Sequence, residues 1–205
     1  MLRIGLTGGI AAGKSVASQR LAELGALVID HDVLAREVVA PGTVGLEKIV
    51  ERYGDGVVDE NGALDREALG RIVFDDAGAR ADLNGIVHPE VRRLAAEREA
   101  AAGAADPEAV VVHDIPLLVD TGQSEGFHVL VVVDAPADLR VQRLVESRGM
   151  TREDAQRRVA AQVGDDERRA AADVVLDGAG TVEELRAGVD ALWTRVRAEV
   201  VEELV

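Results

Sequence analysis

Gly8-Gly9-Ile10-Ala11-Ala12-Gly13-Lys14-Ser15 has the spacing Gly-x-x-x-x-Gly-Lys-Ser of a phosphate-binding P-loop. Leu2, Ile4 and Leu6 precede it in a strand-like alternation, and apolar residues at helical spacing follow it as far as Gly25. A strand, a glycine-rich loop and a helix N-terminus in this order suit phosphate binding, because glycines let backbone N–H groups converge and the helix adds a positive field. Lys14 would reach the β- and γ-phosphates, and the Ser15 hydroxyl would bind Mg²⁺.

The alternative for this stretch is an ordinary glycine-rich turn before a helix. Lys14 and Lys48 are the only lysines in the sequence, so a lysine at this position of the loop is not expected by chance. We therefore expect the chain to bind a nucleoside triphosphate.

The composition excludes several classes of protein. The 205 residues, 47% of them hydrophobic, suffice for one α/β domain with inserted subdomains. No apolar run reaches the roughly 18 residues of a membrane-spanning helix, and the chain leads straight into its first strand, which argues against a signal peptide. The net charge of −15 and the scarcity of aromatic residues disfavour nucleic-acid binding, and the lack of cysteine is compatible with the cytosol. We expect a cytoplasmic protein that binds neither nucleic acid nor a membrane.

Five apolar segments predict buried strands, at residues 2–7, 25–29, 110–114, 129–134 and 173–177. The continuous β-branched runs among them suit strands buried on both faces. Since helical patterns separate the segments, we predict an α/β fold with a doubly wound, five-stranded parallel sheet flanked by helices. Asp30 and Asp32 follow the second strand, at the edge where such sheets bind ligands.

We predict a single domain of residues 1–205, which consists of a core, a helical insert and a lid. The core comprises about residues 1–32, 108–137 and 171–205, and a helical insert at about residues 33–107 could carry the substrate. Within the insert, His88-Pro89 predicts the start of a helix, because proline suits the first helical position. Thr181 and Glu184 form a capping box that opens the last helix.

An arginine-rich segment, about residues 138–170, is predicted to act as a lid. Residues 140–169 contain eight arginines and six acids, so this part has a charge of +2 while the remainder carries −17. A local excess of arginine in an acidic chain suggests that an anion is bound there. A solvated helix face with paired charges is the alternative.

The class of P-loop protein follows from what accompanies the loop. Neither lysine is followed by the guanine-reading pattern Asn/Thr-Lys-x-Asp, so a GTPase is not expected. A motor would be larger. A P-loop, an acid pair after the second strand, a helical insert and an arginine lid together are similar to small-molecule kinases.

The resemblance sharpens to the dephospho-CoA kinase family, whose motifs are spread in order over residues 2–180. The most specific are Asp30-His31-Asp32 with Ala35-Arg36, then His88-Pro89 and Pro116-Leu117-Leu118. The remaining motif positions are residues 6–10 with 13–15, residues 41–42, residues 62–66, residue 140 with 143–144 and 148, Gln162, and residues 172–173. The chain departs from the family pattern at Ala11-Ala12, Val16, His31 between the two aspartates, and Asp120 in place of a glutamate.

The resemblance implies the P-loop kinase fold and transfer of the γ-phosphoryl group of ATP to the ribose 3′-hydroxyl of dephospho-CoA, the last step of coenzyme A synthesis. It implies three catalytic residues: Asp32 as the base, and Lys14 and Arg140 as charge stabilisers. Ser15 would hold Mg²⁺, and Asp114 could hold the ion through water because it ends an apolar strand. The implied ATP-binding residues are Gly9, Ile10, Ala11, Ala12, Gly13, Lys14, Ser15, Val16 and Arg140, and the implied substrate-binding residues are Thr7, Asp32, Arg36, His88 and Leu118.

Each assignment has a structural alternative. Asp30 and Asp32 could cap a strand end, Arg140 could be a helix-surface residue, and His88 could order a helix start with Pro89. Two other functions also stay open: a small-molecule kinase with a different acceptor, and a nucleotide-binding module without catalysis.

Overall fold

A computed structural model describes residues 1–122 and 126–202. The chain divides into two units, which are taken in turn. The first comprises residues 1–30 together with the described residues from Ala102 onward, and the second is His31–Ala101.

The first unit is built on a five-stranded parallel sheet, as predicted. The strands are β1 (Leu2–Gly8), β2 (Leu27–Asp30), β3 (Val110–Asp114), β4 (Val129–Asp134) and β5 (Val174–Asp177), in the order β2-β3-β1-β4-β5. Because β1 is central, the loop that follows it lies at the middle of the sheet's carboxyl edge. This is where ligands bind in open α/β sheets.

The central strands are buried because helices cover both faces of the sheet. Ile4 of β1 pairs with Val112 of β3 on one side and with Val129 of β4 on the other. Ile4, Val112 and Val131 are completely buried, and burial of each such side chain contributes about 1.5–3 kcal/mol. Leu27 and Val175, on the two edge strands, remain partly exposed.

The helices around this sheet are α1 (Lys14–Glu23), α6 (Ala137–Arg148), α7 (Arg152–Ala160), α8 (Asp165–Ala171) and α9 (Val182–Glu202). The predicted capping box of α9 is confirmed: the Thr181 N–H donates to Glu184 Oε2 at 2.7 Å, and the Glu184 N–H donates to Thr181 Oγ1 at 3.2 Å. Leu185, Val189 and Leu192 then place one face of α9 in the main core.

The second unit is helical, with α2 (His31–Glu37), α3 (Val44–Tyr53), α4 (Arg66–Phe74) and α5 (Ala77–Ala105), which continues beyond the unit. A short 3-10 helix covers Asp55–Val57, and a single antiparallel bridge joins Val58 to Leu64. The predicted helical character of this part of the chain is therefore confirmed.

The predicted helix start at His88-Pro89 is wrong, because α5 runs through Pro89 without a break. The helix begins instead after Asp76, whose Oδ1 accepts the Ala79 N–H at 2.9 Å. Proline leaves the carbonyl four residues earlier without a donor. Here that residue is Gly85, and both Pro89 and Gly85 are exposed, so water can hydrate the carbonyl.

Among the described residues, no helix combines the length and the apolar character needed to cross a membrane.

Candidate active site

The P-loop connects β1 to α1, and two of its residues have positive φ angles. Gly13 caps α1 with φ 112°, a conformation that favours glycine, and Val16 N donates to the Gly13 carbonyl at 2.9 Å. Ala11 also has a positive φ, 61°. The helix begins at Lys14, so the lysine and Ser15 both lie in its first turn. A loop that leads into a helix N-terminus in this way suits a phosphate chain, in keeping with the predicted loop.

Neighbouring backbone and side chains leave no room for larger residues around this loop. A Cβ on Gly8 would lie 2.6 Å from the Val133 carbonyl oxygen, and one on Gly9 would lie 2.6 Å from Arg140 Nη1. Gly178, in the turn after β5, approaches the loop even more closely, since a Cβ at this residue would lie 2.0 Å from the Ala12 carbonyl oxygen. The loop is thus held between β4, α6 and the turn after β5.

Lys14 forms an ion pair with Asp114, the last residue of β3. Asp114 is buried, whereas the Lys14 side chain keeps a fifth of its surface exposed. Asp114 is also the register partner of Asp30 in β2. The predicted cation of the loop therefore has a carboxylate partner at the carboxyl edge of the sheet.

Ser15 follows Lys14 in the first turn of α1 and is exposed. Hydroxyl and carboxylate oxygens are the donors that Mg²⁺ prefers, and phosphates and water usually complete its coordination. The donor types of Ser15 and Asp114 therefore fit a Mg²⁺ ion bound together with phosphates. Within the described residues there is no cluster of three or more histidine or acidic side chains that could hold a metal alone.

Arg140 of α6 is 2% exposed and lies against the loop, so the alternative of a helix-surface arginine is wrong. Its Nε donates to the Ala135 carbonyl at 2.9 Å and its Nη2 to Asp165 Oδ1 at 2.5 Å. A buried guanidinium with paired donors is a rigid positive charge. Its position next to Gly9 suits the stabilisation of charge on bound phosphates.

Arg143, one turn further along α6, belongs to the motif of residues 140, 143–144 and 148 found in the sequence, and it contacts the loop. Its Nη1 donates to the Ala11 carbonyl at 3.2 Å and to the Ala12 carbonyl at 3.4 Å. Arg148, at the end of the same helix, is exposed. The motif and the spacing of three residues from Arg140 indicate that Arg143 shares its helix face, whereas the contact with the loop carbonyls is not encoded in that spacing.

The end of the arginine-rich segment also contacts the loop. Gln162 Oε1 accepts the Ile10 N–H at 2.8 Å. Arg168 is 1% exposed and donates to Asp165 Oδ1 at 2.9 Å. Arg140, Arg143 and Arg168 therefore make buried or half-buried contacts. The alternative of a purely solvated helix face is excluded for these three residues.

The predicted substrate residues occupy different environments. In the first unit, Thr7 and Leu118 are buried, and the Leu118 side chain packs over Gly5 of β1. In the second unit, Asp32 and Arg36 are exposed on α2, two and six residues after the end of β2. His88 is exposed on α5, and a Glu37–Arg98 ion pair joins α5 to α2.

The sheet order and the loop define the class: the chain has the fold of a P-loop kinase, with the P-loop after the central strand and a buried arginine against it. In agreement, a structure of shikimate kinase from Acinetobacter baumannii has a similar fold, with a TM-score of 0.51 at 16% identity over 97% of this chain and 94% of that one.

The chain belongs to the dephospho-CoA kinase family, since the profile of that family (CoaE, dephospho-CoA kinase) matches residues 2–184. It is 53% identical to a dephospho-CoA kinase of Leifsonia xyli over 96% of this chain and the full length of that protein. It is 52% identical to a dephospho-CoA kinase of Mycobacterium tuberculosis, of whose length it spans 48%. A crystal structure of TT1252 from Thermus thermophilus matches with a TM-score of 0.78 at 35% identity, over 95% of this chain and 97% of that one.

Proposed function

We propose that this chain transfers the γ-phosphoryl group of ATP to the ribose 3′-hydroxyl of dephospho-CoA, giving coenzyme A and ADP. Membership of the dephospho-CoA kinase family over residues 2–184 is the observation that carries this proposal. In the transfer, the bond between the γ-phosphorus and its bridging oxygen breaks, and a bond to the ribose oxygen forms. The hydroxyl proton passes to a base.

The ATP phosphates would lie on the loop formed by Gly9, Ile10, Ala11, Ala12 and Gly13, continued by the first turn of α1 with Lys14, Ser15 and Val16. Positioning and charge stabilisation supply most of the catalysis in such transfers. Lys14, now paired with Asp114, and the buried Arg140 beside Gly9 would stabilise the charge that develops on the transferred group and on ADP. Ser15, with Asp114 acting through water, would hold Mg²⁺, which neutralises phosphate charge when bound.

Asp32 would orient the ribose hydroxyl and accept its proton. It lies in the first turn of α2 and is exposed to solvent. Arg36, on the same helix, and His88 would contact the substrate, as would Thr7 and Leu118 at the end of β1 and after β3. The small-molecule substrate would be bound without nucleic acid or membrane partners, in the cytoplasm.

The test is ADP release from Mg-ATP with and without dephospho-CoA, together with the mass of the product. We expect ADP release that depends on the acceptor and a product that is heavier by one phosphoryl group. ADP release that does not depend on dephospho-CoA, but responds to another alcohol in an acceptor panel, would assign a different substrate. ATP binding without transfer to any acceptor would indicate a nucleotide sensor.

A further inference from the structure

A single side-chain oxygen connects the P-loop to the buried arginine beside it. Gln162 lies just after α7, and its Oε1 accepts the Ile10 N–H at 2.8 Å and the Arg140 Nη1–H at 3.4 Å. The two donors come from elements far apart in the chain. Their shared acceptor therefore fixes the distance between the loop backbone and the guanidinium.

The backbone around Gln162 is itself held on two sides. The Val163 N–H donates to Asp120 Oδ1 at 2.8 Å, and the Val163 carbonyl accepts from Arg168 Nη2 at 2.8 Å. Arg168 is buried and shares Asp165 with Arg140. Since these contacts restrain the main chain at residue 163, the carboxamide of the preceding residue is presented to the loop at a defined place.

Apolar packing between the loop and the arginine-rich segment is separate from this polar link. Ile10 and Ala11 pack against a buried cluster of Val141, Leu144 and Ala155. A side chain of similar size without an acceptor at position 162 would leave that cluster intact. The hydrogen bonds of Gln162 can therefore be removed without removing the contact between the two segments.

We propose that Gln162 is a positioning residue for phosphoryl transfer, which holds the Ile10 N–H and the Arg140 guanidinium in the relative geometry that the triphosphate requires. This inference rests on the proposed function. The carboxamide oxygen suits the role, because it accepts two N–H groups and adds no negative charge next to bound phosphates. Asp120 acts through Val163 to keep Gln162 in place.

The test compares Gln162→Met, which keeps the length of the side chain and loses the acceptor, with Gln156→Met on the exposed face of α7 as the matched control. We expect Gln162→Met to lower kcat/KM for ATP by about tenfold, the scale for a hydrogen bond to a charged group. The KM for dephospho-CoA should stay unchanged, and Gln156→Met should match the wild type. Equal activity of Gln162→Met and the control would overturn the proposal.

A double-mutant cycle with Arg140→Ala separates positioning from general stabilisation. If Gln162 acts through Arg140, Gln162→Met should cost less than about threefold in the Arg140→Ala background. If the activity losses of the two single variants simply multiply in the double variant, the proposal is overturned. Asp120→Ala should reproduce part of the loss and Asp120→Asn should not, since the asparagine carbonyl can still accept the Val163 N–H; equal effects of the two would also contradict it.

ATP affinity measured by calorimetry makes the outcome independent of the acceptor. If the wild type does not phosphorylate dephospho-CoA, the proposed function fails, whereas weaker ATP binding by Gln162→Met than by Gln156→Met would still support the link to the loop. If Gln162→Met does not fold, Gln162→Asn, with its acceptor about one methylene short, takes its place with the same expected results.

Discussion

Arg140 combines burial with a position against the loop. Its guanidinium is enclosed by Ala135, Gln162 and Asp165, so its charge is fixed before any phosphate binds. Preorganised charges of this kind are effective in catalysis because they need no reorganisation during the reaction. This residue is therefore where loss of a single charge should be most costly.

We predict that Arg140→Ala lowers kcat by at least about a hundredfold, the scale seen when one charge-stabilising donor is removed. Lys14→Ala should have an effect of the same size. Arg71→Ala, exposed on α4 in an ion pair with Glu67, is the control and should retain wild-type turnover. Steady-state kinetics on variants with wild-type circular dichroism would decide, and a wild-type rate for Arg140→Ala would show that its charge is not used.

Asp32 lies at an exposed helix start, so its substitution should change chemistry more than folding. We predict that Asp32→Asn abolishes most turnover while ATP binding measured by calorimetry is retained, because asparagine cannot accept the hydroxyl proton. If ATP affinity were lost in parallel, the carboxylate would instead have a structural or metal-binding role.

Gly178 is the residue at which the loop has least space. We predict that Gly178→Ala displaces the Ala12 carbonyl, because the added Cβ would lie 2.0 Å from its oxygen, and lowers ATP affinity by at least about tenfold. Gly70→Ala, in the open interior of α4, is the control and should instead raise the free energy of unfolding by about 0.5–1 kcal/mol. Calorimetric binding and chemical denaturation would measure the two effects.

At the level of elements, local sequence signals predict most of the core. The P-loop glycines, the β-branched runs and the Thr181 capping box act on neighbouring residues, so their structures can be inferred from short stretches. The start of α5 is an exception, because Pro89 is the more conspicuous signal in the sequence and the Asp76 cap is the one that begins the helix. Proline favours a helix start but does not prevent an exposed helix from continuing.

The site is only partly predictable, because local motifs can be inferred from short stretches of sequence and long-range contacts cannot. Lys14 and Ser15 belong to a local motif, but the contacts of Arg143 and Gln162 with the loop join residues more than 130 positions apart. No short-range pattern encodes such a contact. The burial of Arg168 is likewise hidden, because its partners Val163 and Asp165 look like ordinary turn and helix-start residues in the sequence.

Ion pairs join the outer surfaces of α1 and α9. Arg20 contacts Asp190 through Nε at 2.6 Å and Nη2 at 3.0 Å, and Arg186 pairs with Glu23. The hydrogen bond from Arg186 and then that from Arg20 lower the pKa of Glu23, and Arg20 lowers the pKa of Asp190. The pairing therefore stabilises the fold above the ordinary pKa values of these carboxyls, and this contribution is lost as the pH falls through the lowered values.

We predict that Arg20→Met lowers the melting temperature at pH 7 and that the difference from the wild type shrinks as the pH falls below about 4. Added salt at pH 7 should also shrink the difference, because the pairs are exposed to solvent. Thermal melting over a pH series would measure this. A difference that is independent of both pH and salt would assign the effect to packing of the arginine stem instead.

For the whole molecule, the position of Lys14 in the loop, where it pairs with Asp114, allows occupancy of the site to be measured chemically. Lys14 and Lys48 are the only lysines in the sequence; one lies in the P-loop and the other, paired with Glu90 at 2.9 Å, lies in the second unit. Besides the α-amino group, an amine-acylating reagent thus has one lysine target at the proposed reaction centre and one lysine as an internal reference. We expect Mg-ATP to protect Lys14 from acylation and to leave Lys48 unchanged, so that mass spectrometry of two peptides reports occupancy of the loop without any turnover.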